Sequence, residues 1–224
     1  MPYLALLRKI WSQEFFHKET NTLGWLEQVV FTFATIARIP SPSNLKHLFS
    51  PGSAARKVFM DMYVVAWVLV AILSMLFLPS LPKWASWVFA FEIWDICSYR
   101  VYFFLVKSQV EPWRANLRRT LLIAFMNCIE IILGFSIIYF QYGDIAQNNC
   151  QHKLSTSVDA LYFSVVTIMT VGYGDFAPCS EIGRVLVIGE ISTSFVFVIV
   201  TAPLLLSAFS ADLRGSSQSK QKGG

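Results

Sequence analysis

The chain has 224 residues, of which 55% are hydrophobic and 14% are charged. A soluble domain is about a quarter charged, so this composition argues against a soluble enzyme and predicts an integral membrane protein with several spans. The net charge of +4 comes without a polybasic tract in polar surroundings, which argues against nucleic acid as a partner.

The N-terminal region, residues 1–56, is expected to be cytoplasmic and interfacial. Residues 23–39 are apolar apart from a polar stripe with helical spacing, namely Gln28, Thr32, Thr35 and Arg38. This pattern predicts a helix that lies in the membrane interface. A fifth span is the alternative, which the short length of the segment and Glu27 disfavour.

Four segments are apolar enough, and long enough at about 20 residues, to cross the hydrocarbon core as helices. They are residues 58–78, 84–106, 120–141 and 182–210. The Pro- and Ser-containing turn between the first two makes residues 57–106 a hairpin. The predicted fold class is therefore an all-α integral membrane protein with four transmembrane helices per chain.

Basic residues gather before the first span, between the second and third, and after the fourth. They are Arg56, Lys57, Lys107, Arg114, Arg118, Arg119, Arg214, Lys220 and Lys222. The positive-inside rule places these clusters and both termini in the cytoplasm, and places residues 142–181 outside.

The linker at residues 107–119 has three interpretations. A cytoplasmic loop at the lipid headgroups is favoured, because four basic residues are few for a lipid site. The alternatives are an interfacial helix that couples the hairpin to the pore, or a site for anionic lipid at Lys107, Arg114, Arg118 and Arg119.

The outer connection between the third and fourth spans is too apolar for a plain loop. Residues 158–169 have the length of a short helix and cannot span, and the sequence TVGYGD follows at residues 170–175. The pattern predicts a re-entrant loop, in which a short helix is followed by a glycine-containing strand that leads back to the outer side. Such a loop is tolerated at membrane depth only where it lines a wet cavity enclosed by protein, which argues against an ordinary glycine-rich turn.

The composition of this loop suits the removal of water from a cation. Gly172 and Gly174 permit positive φ, which can turn successive carbonyl oxygens toward one axis, and Thr170 adds a hydroxyl. One chain supplies one wall of such a ring, so four copies are required. The expected ligands of K⁺ are Thr170, Val171, Gly172, Tyr173 and Gly174, and no organic cofactor is expected.

With these motifs, residues 120–210 resemble the pore domain of tetrameric potassium channels. Asp159 to Phe163 resembles the start of the pore helix, although the family usually has two tryptophans in place of Tyr162 and Phe163. Pro178 and the pair Gly183-Arg184 resemble the step into the inner helix. Thr201-Ala202-Pro203 is similar to the inner-helix bend of the voltage-gated branch.

The resemblance implies a homotetramer that conducts K⁺ and assigns roles to further residues. Filter support is expected from Asp175, Tyr162, Phe163 and Met169, and the gate and cavity from Ser194, Pro203 and Glu190. Met169 replaces a threonine that the family usually has below the filter, which leaves a poorly selective cation channel as an alternative. Ser194 replaces a hinge glycine, so Pro203 is the expected bend and gate region.

Cys150 and Cys179 flank the predicted pore helix and filter on the oxidising outer side. A disulfide that braces the loop and a pair of free thiols are both compatible with the sequence. Inward-rectifier potassium channels resemble the disulfide arrangement.

Ionisable residues lie inside the predicted spans, where they mark function by default. They are Glu92, Asp95, Arg100, Glu130 and Glu190. Pairing between helices is expected for most of them, with Arg100 against a carboxylate. Glu190 is the exception, because a carboxylate that faced the cavity would raise the local cation concentration.

Steep voltage sensing takes roughly 3 to 4 gating charges per subunit, and the hairpin carries only Arg100 in its membrane region. The sequence therefore predicts a K⁺ channel of the plasma or inner membrane with weak or no voltage sensing. Residues 211–224 are expected to be a flexible tail. A non-conducting regulatory subunit is the remaining alternative.

Overall fold

The computed structural model describes residues 53–102, 117–147 and 150–222. The predicted interfacial helix at residues 23–39 lies outside these ranges, as do Lys107 and Arg114 of the predicted lipid site.

Five α-helices make up most of the described chain. They are α1 (Ser53–Leu76), α2 (Ala85–Tyr102), α3 (Leu117–Ile138), α4 (Ser157–Ile168) and α5 (Glu181–Lys222). A 3₁₀ turn at Leu78–Ser80 and a π-helical turn at Tyr139–Gly143 follow α1 and α3. The strands are β1 (Ile145–Gln147), β2 (His152–Lys153) and β3 (Ala177–Pro178).

Three helical segments are long and apolar enough to cross a membrane, at Val58–Leu76, Arg118–Gly143 and Glu181–Pro203. They correspond to the first, third and fourth predicted spans. The helix α2 carries Glu92, Asp95 and Arg100 within its 18 residues and is not among the three. A fourth crossing therefore stays a prediction.

The helix α3 is the centre of the fold, because both hydrophobic clusters of the described residues form around it. The first joins α1 and α2 to α3 and α4, through Ala71, Met75, Leu78, Phe89, Leu133, Ile137 and Ala160. The second lies nearer α5 and β1, and its buried members are Ile93, Ile96, Ile131, Phe135, Ile138, Tyr139, Ile145 and Phe163. The short helix α4 thus lies against a hairpin and a central helix that support it from one side.

The outer turn of the α1–α2 hairpin is attached to the end of α3. Gln141 Nε2 donates a hydrogen bond to the carbonyl oxygen of Leu81 at 3.3 Å, and Tyr142 Oη donates to that of Lys83 at 3.2 Å. At the other end, Arg119 Nη2 lies 2.7 Å from Asp61 Oδ1. The hairpin is therefore held to α3 at both ends.

A small antiparallel sheet with the order β2-β1-β3 closes the connection between α3 and α5. Ala146 of β1 pairs with Lys153 on one side and with Ala177 on the other. This pairing returns the chain after residue 175 to the segment that follows α3.

The helix α5 is continuous over 42 residues and ends at Lys222. The prediction of a flexible tail from residue 211 is wrong up to that point. Residues 211–222 contain no proline and several good helix formers, so a helix that has already begun can continue through them. At 1.5 Å per residue the helix is about 63 Å long, roughly twice the hydrocarbon thickness.

Candidate functional site

The helix α4 begins with a complete capping box. The Asp159 backbone N–H donates to Thr156 Oγ1 at 3.1 Å, and the Thr156 N–H donates to Asp159 Oδ2 at 3.1 Å. Partial burial of Asp159 opposes its ionisation, but hydrogen bonds from Thr156 and Ser155 outweigh burial and lower the pKa of Asp159. The helix covers Ser157–Ile168, one residue earlier than the predicted 158–169.

The first turn of α4 is bonded to the hairpin. Ser157 Oγ donates to the carbonyl oxygen of Met75 at 2.7 Å, and Ala160 is fully buried in the first hydrophobic cluster. The outer end of α1 therefore fixes where α4 begins.

The predicted filter, residues 170–174, follows the last turn of α4 directly. The Thr170 N–H donates to Thr167 O, and the Val171 N–H donates to Val166 O, both at 3.0 Å. These bonds tie the first residues of the filter to the end of the helix.

Every second residue of the predicted filter has positive φ, at +54° for Thr170, +60° for Gly172 and +78° for Gly174. This alternation is the backbone pattern that allows successive carbonyl oxygens to face the same side. An added Cβ at Gly172 or Gly174 would meet no atom within 4 Å. The backbone conformation, and not lack of space within the chain, is therefore what requires glycine there.

Thr170 is β-branched and has positive φ, a combination that is rare and strained outside special sites. Its Oγ1 donates to the carbonyl oxygen of Met169 at 2.8 Å. Strain of this kind concentrates where function requires a particular backbone.

The filter side of this loop is open in a single chain. The exposed fractions of these residues are 56% for Met169, 50% for Val171 and 71% for Tyr173. These apolar and aromatic side chains are therefore left uncovered by the rest of the described chain.

The predicted support residues lie on different sides of α4. Asp175 raises the pKa of Tyr162, and the Tyr162 ring centroid lies 6.2 Å from that of Phe176. Tyr162 therefore contacts the segment that follows the filter. Phe163 points the other way and packs edge-on against Tyr139, with ring centroids 4.9 Å apart. Phe163 therefore belongs to the core behind the helix.

The segments on either side of α4 and the filter are joined covalently. A disulfide connects Cys150 and Cys179, whose Cα atoms are 5.8 Å apart. Lys153 and Asp144 form an ion pair beside it. The disulfide and the β1–β3 pairing together hold the chain on both sides of the loop.

Glu190 does not face a cavity, and its predicted position is wrong. The side chain is fully buried in the chain, where Tyr139 Oη donates to its Oε2 at 2.7 Å and Ser164 Oγ lies 2.5 Å from its Oε1. A carboxyl group at membrane depth requires hydrogen-bond partners, and these two hydroxyls supply them. The sequence analysis missed Ser164 and Tyr139; a serine within an otherwise apolar helix face was the available signal.

The predicted gate residues lie along α5. Ser194 is half-buried, and its Oγ donates to the carbonyl oxygen of Glu190 at 2.8 Å. Pro203 lies inside the continuous helix, where it cannot donate to the carbonyl oxygen of Ile199. A gate at Pro203 stays a prediction.

The start of α5 lies very close to the end of α3. An added Cβ at Gly183 would lie 2.1 Å from the carbonyl oxygen of Gly143, which is inside van der Waals contact. The glycine that begins the predicted inner helix is therefore explained by a close backbone approach.

The ionisable residues of α2 bond to neighbouring helices. Tyr63 Oη lies 3.0 Å from Glu92 Oε2 and 3.4 Å from Asp95 Oδ2. The Arg100 guanidinium lies 5.3 Å from the ring centroid of Phe197, and its Nη2 is 3.1 Å from the Asn127 amide oxygen in the orientation that satisfies both groups. Arg100 thus contacts an amide and an aromatic ring, where a carboxylate was expected.

Comparisons with known proteins concern the same part of the chain. Residues 125–211 match the model of a family described as ion channels. Two-pore potassium channel 1 of Arabidopsis thaliana is 36% identical over 91 residues, which are 41% of this chain and 22% of that protein.

Two animal proteins give similar results. Potassium voltage-gated channel subfamily KQT member 1 of Xenopus laevis is 28% identical over 116 residues, 52% of this chain and 17% of that protein. Subfamily A member 5 of Mustela putorius furo is 36% identical over 72 residues, 32% of this chain and 11% of that protein. The matches thus cover no more than about a quarter of the length of these three relatives. No solved structure matches the chain.

Proposed function

Because residues 125–211 match an ion channel family and the chain is similar to potassium channels, we propose that four copies assemble around one axis and conduct K⁺ passively through a shared filter. The family consists of ion channels, so the chain is an integral membrane protein and not an enzyme. Selectivity, passive conduction and the tetramer are the proposed part.

The alternating backbone of residues 170–174 is the observation that carries the proposal. Positive φ at Thr170, Gly172 and Gly174 suits a row of carbonyl oxygens on one side of the chain. We assign K⁺ coordination to the carbonyl oxygens of Thr170, Val171, Gly172, Tyr173 and Gly174, and to the Thr170 hydroxyl. A dehydrated cation needs such oxygens on all sides, and a single strand supplies one side.

The exposed side chains support a symmetric assembly. Val171 and Tyr173 are half or more exposed in one chain, and exposed apolar residues line α5. These residues of α5 include Val185, Ile188, Phe195 and Val198. Contact between four copies would cover both surfaces around one central axis.

Weak or absent voltage sensing is also proposed. Arg100 is buried against Phe197 of α5 and Asn127 of α3, so an outward movement of this charge would break its contacts with both helices. One such arginine per chain falls well short of the roughly 3 to 4 gating charges that steep voltage dependence takes.

A poorly selective cation channel is the second candidate. Met169 is 56% exposed directly below the filter, where its thioether offers a much weaker ligand than a hydroxyl. Bi-ionic reversal potentials with K⁺ on one side and Na⁺ on the other separate the two candidates. A reversal potential near zero would favour the poorly selective channel.

The deciding experiment measures K⁺ flux into proteoliposomes that contain the purified protein, with Ba²⁺ as blocker. Gly172→Ala is expected to abolish the flux, because an L-residue at φ +60° is strained by about 1–2 kcal/mol in each of four copies. Gly189→Ala is the matched control, since its Cβ meets no atom within 4 Å and its backbone is ordinary helix.

Two results would contradict the proposal. Equal flux through wild type and Gly172→Ala would remove the filter assignment. No flux through a correctly assembled wild type would point to a non-conducting regulatory subunit. Cross-linking of the purified protein should yield a tetramer, and a monomer would contradict the shared pore.

A further inference from the structure

Three helices meet at a fully buried chain of hydrogen bonds behind the predicted filter. The Glu190 carboxyl of α5 contacts Tyr139 Oη, at the end of α3, at 2.7 Å and Ser164 Oγ, in α4, at 2.5 Å. Ser164 Oγ also lies 3.0 Å from the Ile132 carbonyl oxygen in α3. The exposed fractions of Glu190, Ser164 and Tyr139 are 0%, 0% and 1%.

The number of hydrogens decides the protonation state that fits this geometry. The Ser164 hydroxyl has one hydrogen but two oxygen neighbours, Ile132 O and Glu190 Oε1, at hydrogen-bond distance. The Tyr139 hydrogen is already directed at Glu190 Oε2. With an ionised Glu190, one of the two Ser164 contacts therefore lacks a hydrogen.

A protonated Glu190 gives each contact one hydrogen. Tyr139 then donates to Glu190 Oε2, Glu190 donates through Oε1 to Ser164 Oγ, and Ser164 donates to Ile132 O. The neutral carboxyl group also avoids the cost of an uncompensated charge in a buried site at membrane depth.

The ionisable groups on the surrounding helices do not offset a negative charge at this position. Tyr139 is the titratable group in contact with Glu190. The cations of the described neighbouring helices lie elsewhere along them: Arg118 and Arg119 are in the first turn of α3, and Arg214, Lys220 and Lys222 lie beyond residue 210 of α5. Arg184 is exposed six residues before Glu190, and Arg100 of α2 lies over Phe197. The acidic groups on these helices are Glu92, Asp95, Glu130, Asp159, Glu181 and Asp212, and none of them can offset a negative charge at Glu190.

We propose that Glu190 is a protonated positioning residue, whose carboxyl group fixes α4 between α3 and α5 and thereby sets the position of the filter. Ser164 lies six residues before Thr170, on the helix that leads directly into the filter, so a shift of α4 moves the filter carbonyls. This inference rests on the proposed function for its conduction readout, but the protonation of Glu190 can be measured without it.

The sign of the pH dependence follows from the proton count. The neutral form completes the hydrogen-bond chain, so conduction is present while Glu190 holds its proton and is lost as the pH rises and the proton leaves. The ionised carboxylate then competes with Ile132 O for the single Ser164 hydrogen, so one of these two hydrogen bonds is lost.

Glu190→Gln and Glu190→Leu separate the roles of charge and hydrogen bonding. The glutamine amide can donate to Ser164 and accept from Tyr139 without a titratable proton. We expect Glu190→Gln to keep wild-type K⁺ flux at neutral pH and to retain it at alkaline pH, where the wild-type flux falls by about tenfold, as expected for one lost buried hydrogen bond. Glu190→Leu should lose flux at every pH.

Three outcomes would overturn the proposal. One is the same alkaline loss of flux in Glu190→Gln as in wild type. Another is a Glu190→Gln protein that assembles but conducts as poorly as Glu190→Leu, which would mean that the negative charge is needed. A third is a wild-type flux that does not change with pH.

Infrared spectroscopy tests the proton itself and does not depend on conduction. The difference spectrum of wild type minus Glu190→Gln at neutral pH should show the carbonyl stretch of one protonated carboxylic acid. A wild type with this band but no flux would refute the proposed channel function and keep the protonation. Normal flux without the band would refute only the protonation of Glu190.

Discussion

The filter loop that follows α4, which we call the front, and the buried face of α4 around Ala160 and Ser164, which we call the back, are stabilised in different ways. At the front, Gly172 and Gly174 have positive φ, and added Cβ atoms would meet nothing within 4 Å. At the back, Ala160 and Ser164 are fully buried. Within one chain, the backbone conformations that glycine permits give the filter its shape. The packing of the buried face of α4 determines where the filter lies.

A substitution at the front should therefore affect conduction more than stability. Gly174→Ala places a Cβ at φ +78°, at a cost of about 1–2 kcal/mol in each of four copies, or about 4–8 kcal/mol per channel if the copies change together. We expect K⁺ flux in proteoliposomes to fall by more than about a hundredfold. The thermal unfolding midpoint in detergent should change little, because no packed atom is displaced.

Gly189→Ala is the control for this variant, since it adds the same methyl group in ordinary helical backbone. A Gly174→Ala channel that conducts normally would mean that the filter backbone differs from the alternating pattern. A large loss of stability together with flux would mean that the front of the loop is packed within the chain after all.

A substitution in the close packing between α3 and α5 should affect stability more than conduction. Gly183→Ala places a Cβ 2.1 Å from the Gly143 carbonyl oxygen and 3.1 Å from Pro178 Cβ, and the backbone oxygen cannot rotate away. Overpacking of this kind costs about 1–3 kcal/mol, so the unfolding midpoint should fall clearly below that of Gly189→Ala. An unchanged midpoint would contradict the close approach of α3 and α5.

Backbone chemistry explains why the front could be predicted from the sequence. The motif at residues 170–175 requires glycine at fixed positions, and hydropathy indicates the segments around it. The positive φ of Gly172 and Gly174, and the three helices that are long and apolar enough to cross a membrane, therefore followed from the residues alone. The filter loop depends on the backbone conformations that its own residues allow, and the helices depend on how apolar each segment is in lipid. Both properties can be read from single segments of the sequence.

The back could not be predicted, because it depends on which faces of several helices meet. Glu190 was expected in the cavity. Its position along α5 does not show whether its side chain faces the cavity or α3 and α4, so the sequence could not correct this expectation. Arg100 was expected beside a carboxylate for the same reason. The helix beyond Ser210 was missed because its polar composition suits both a tail and a helix that projects from the membrane.

The capping box at the start of α4 gives the smallest expected effect of a substitution on stability. The pKa of Asp159 is lowered by hydrogen bonds from Thr156 and Ser155 that its ionised form accepts. A group with a depressed pKa stabilises the folded state above its ordinary pKa and loses that contribution as the pH falls through the lowered value. Asp159→Asn should therefore reduce stability at neutral pH by about 0.5–1 kcal/mol, as for a weakened helix cap.

Comparison of the two proteins at acidic and neutral pH tests this sign. The difference between the thermal midpoints of wild type and Asp159→Asn should be present at pH 7 and should shrink as the pH falls below the ordinary range of aspartate, because protonation gives wild type the same neutral side chain. Glu181→Gln is a control, since this carboxylate also lies in the first turn of a helix, α5, but outside the capping box. A difference that grew toward acidic pH would mean that the neutral form of Asp159 makes the stabilising contacts, and the capping box would not be what sets the start of α4.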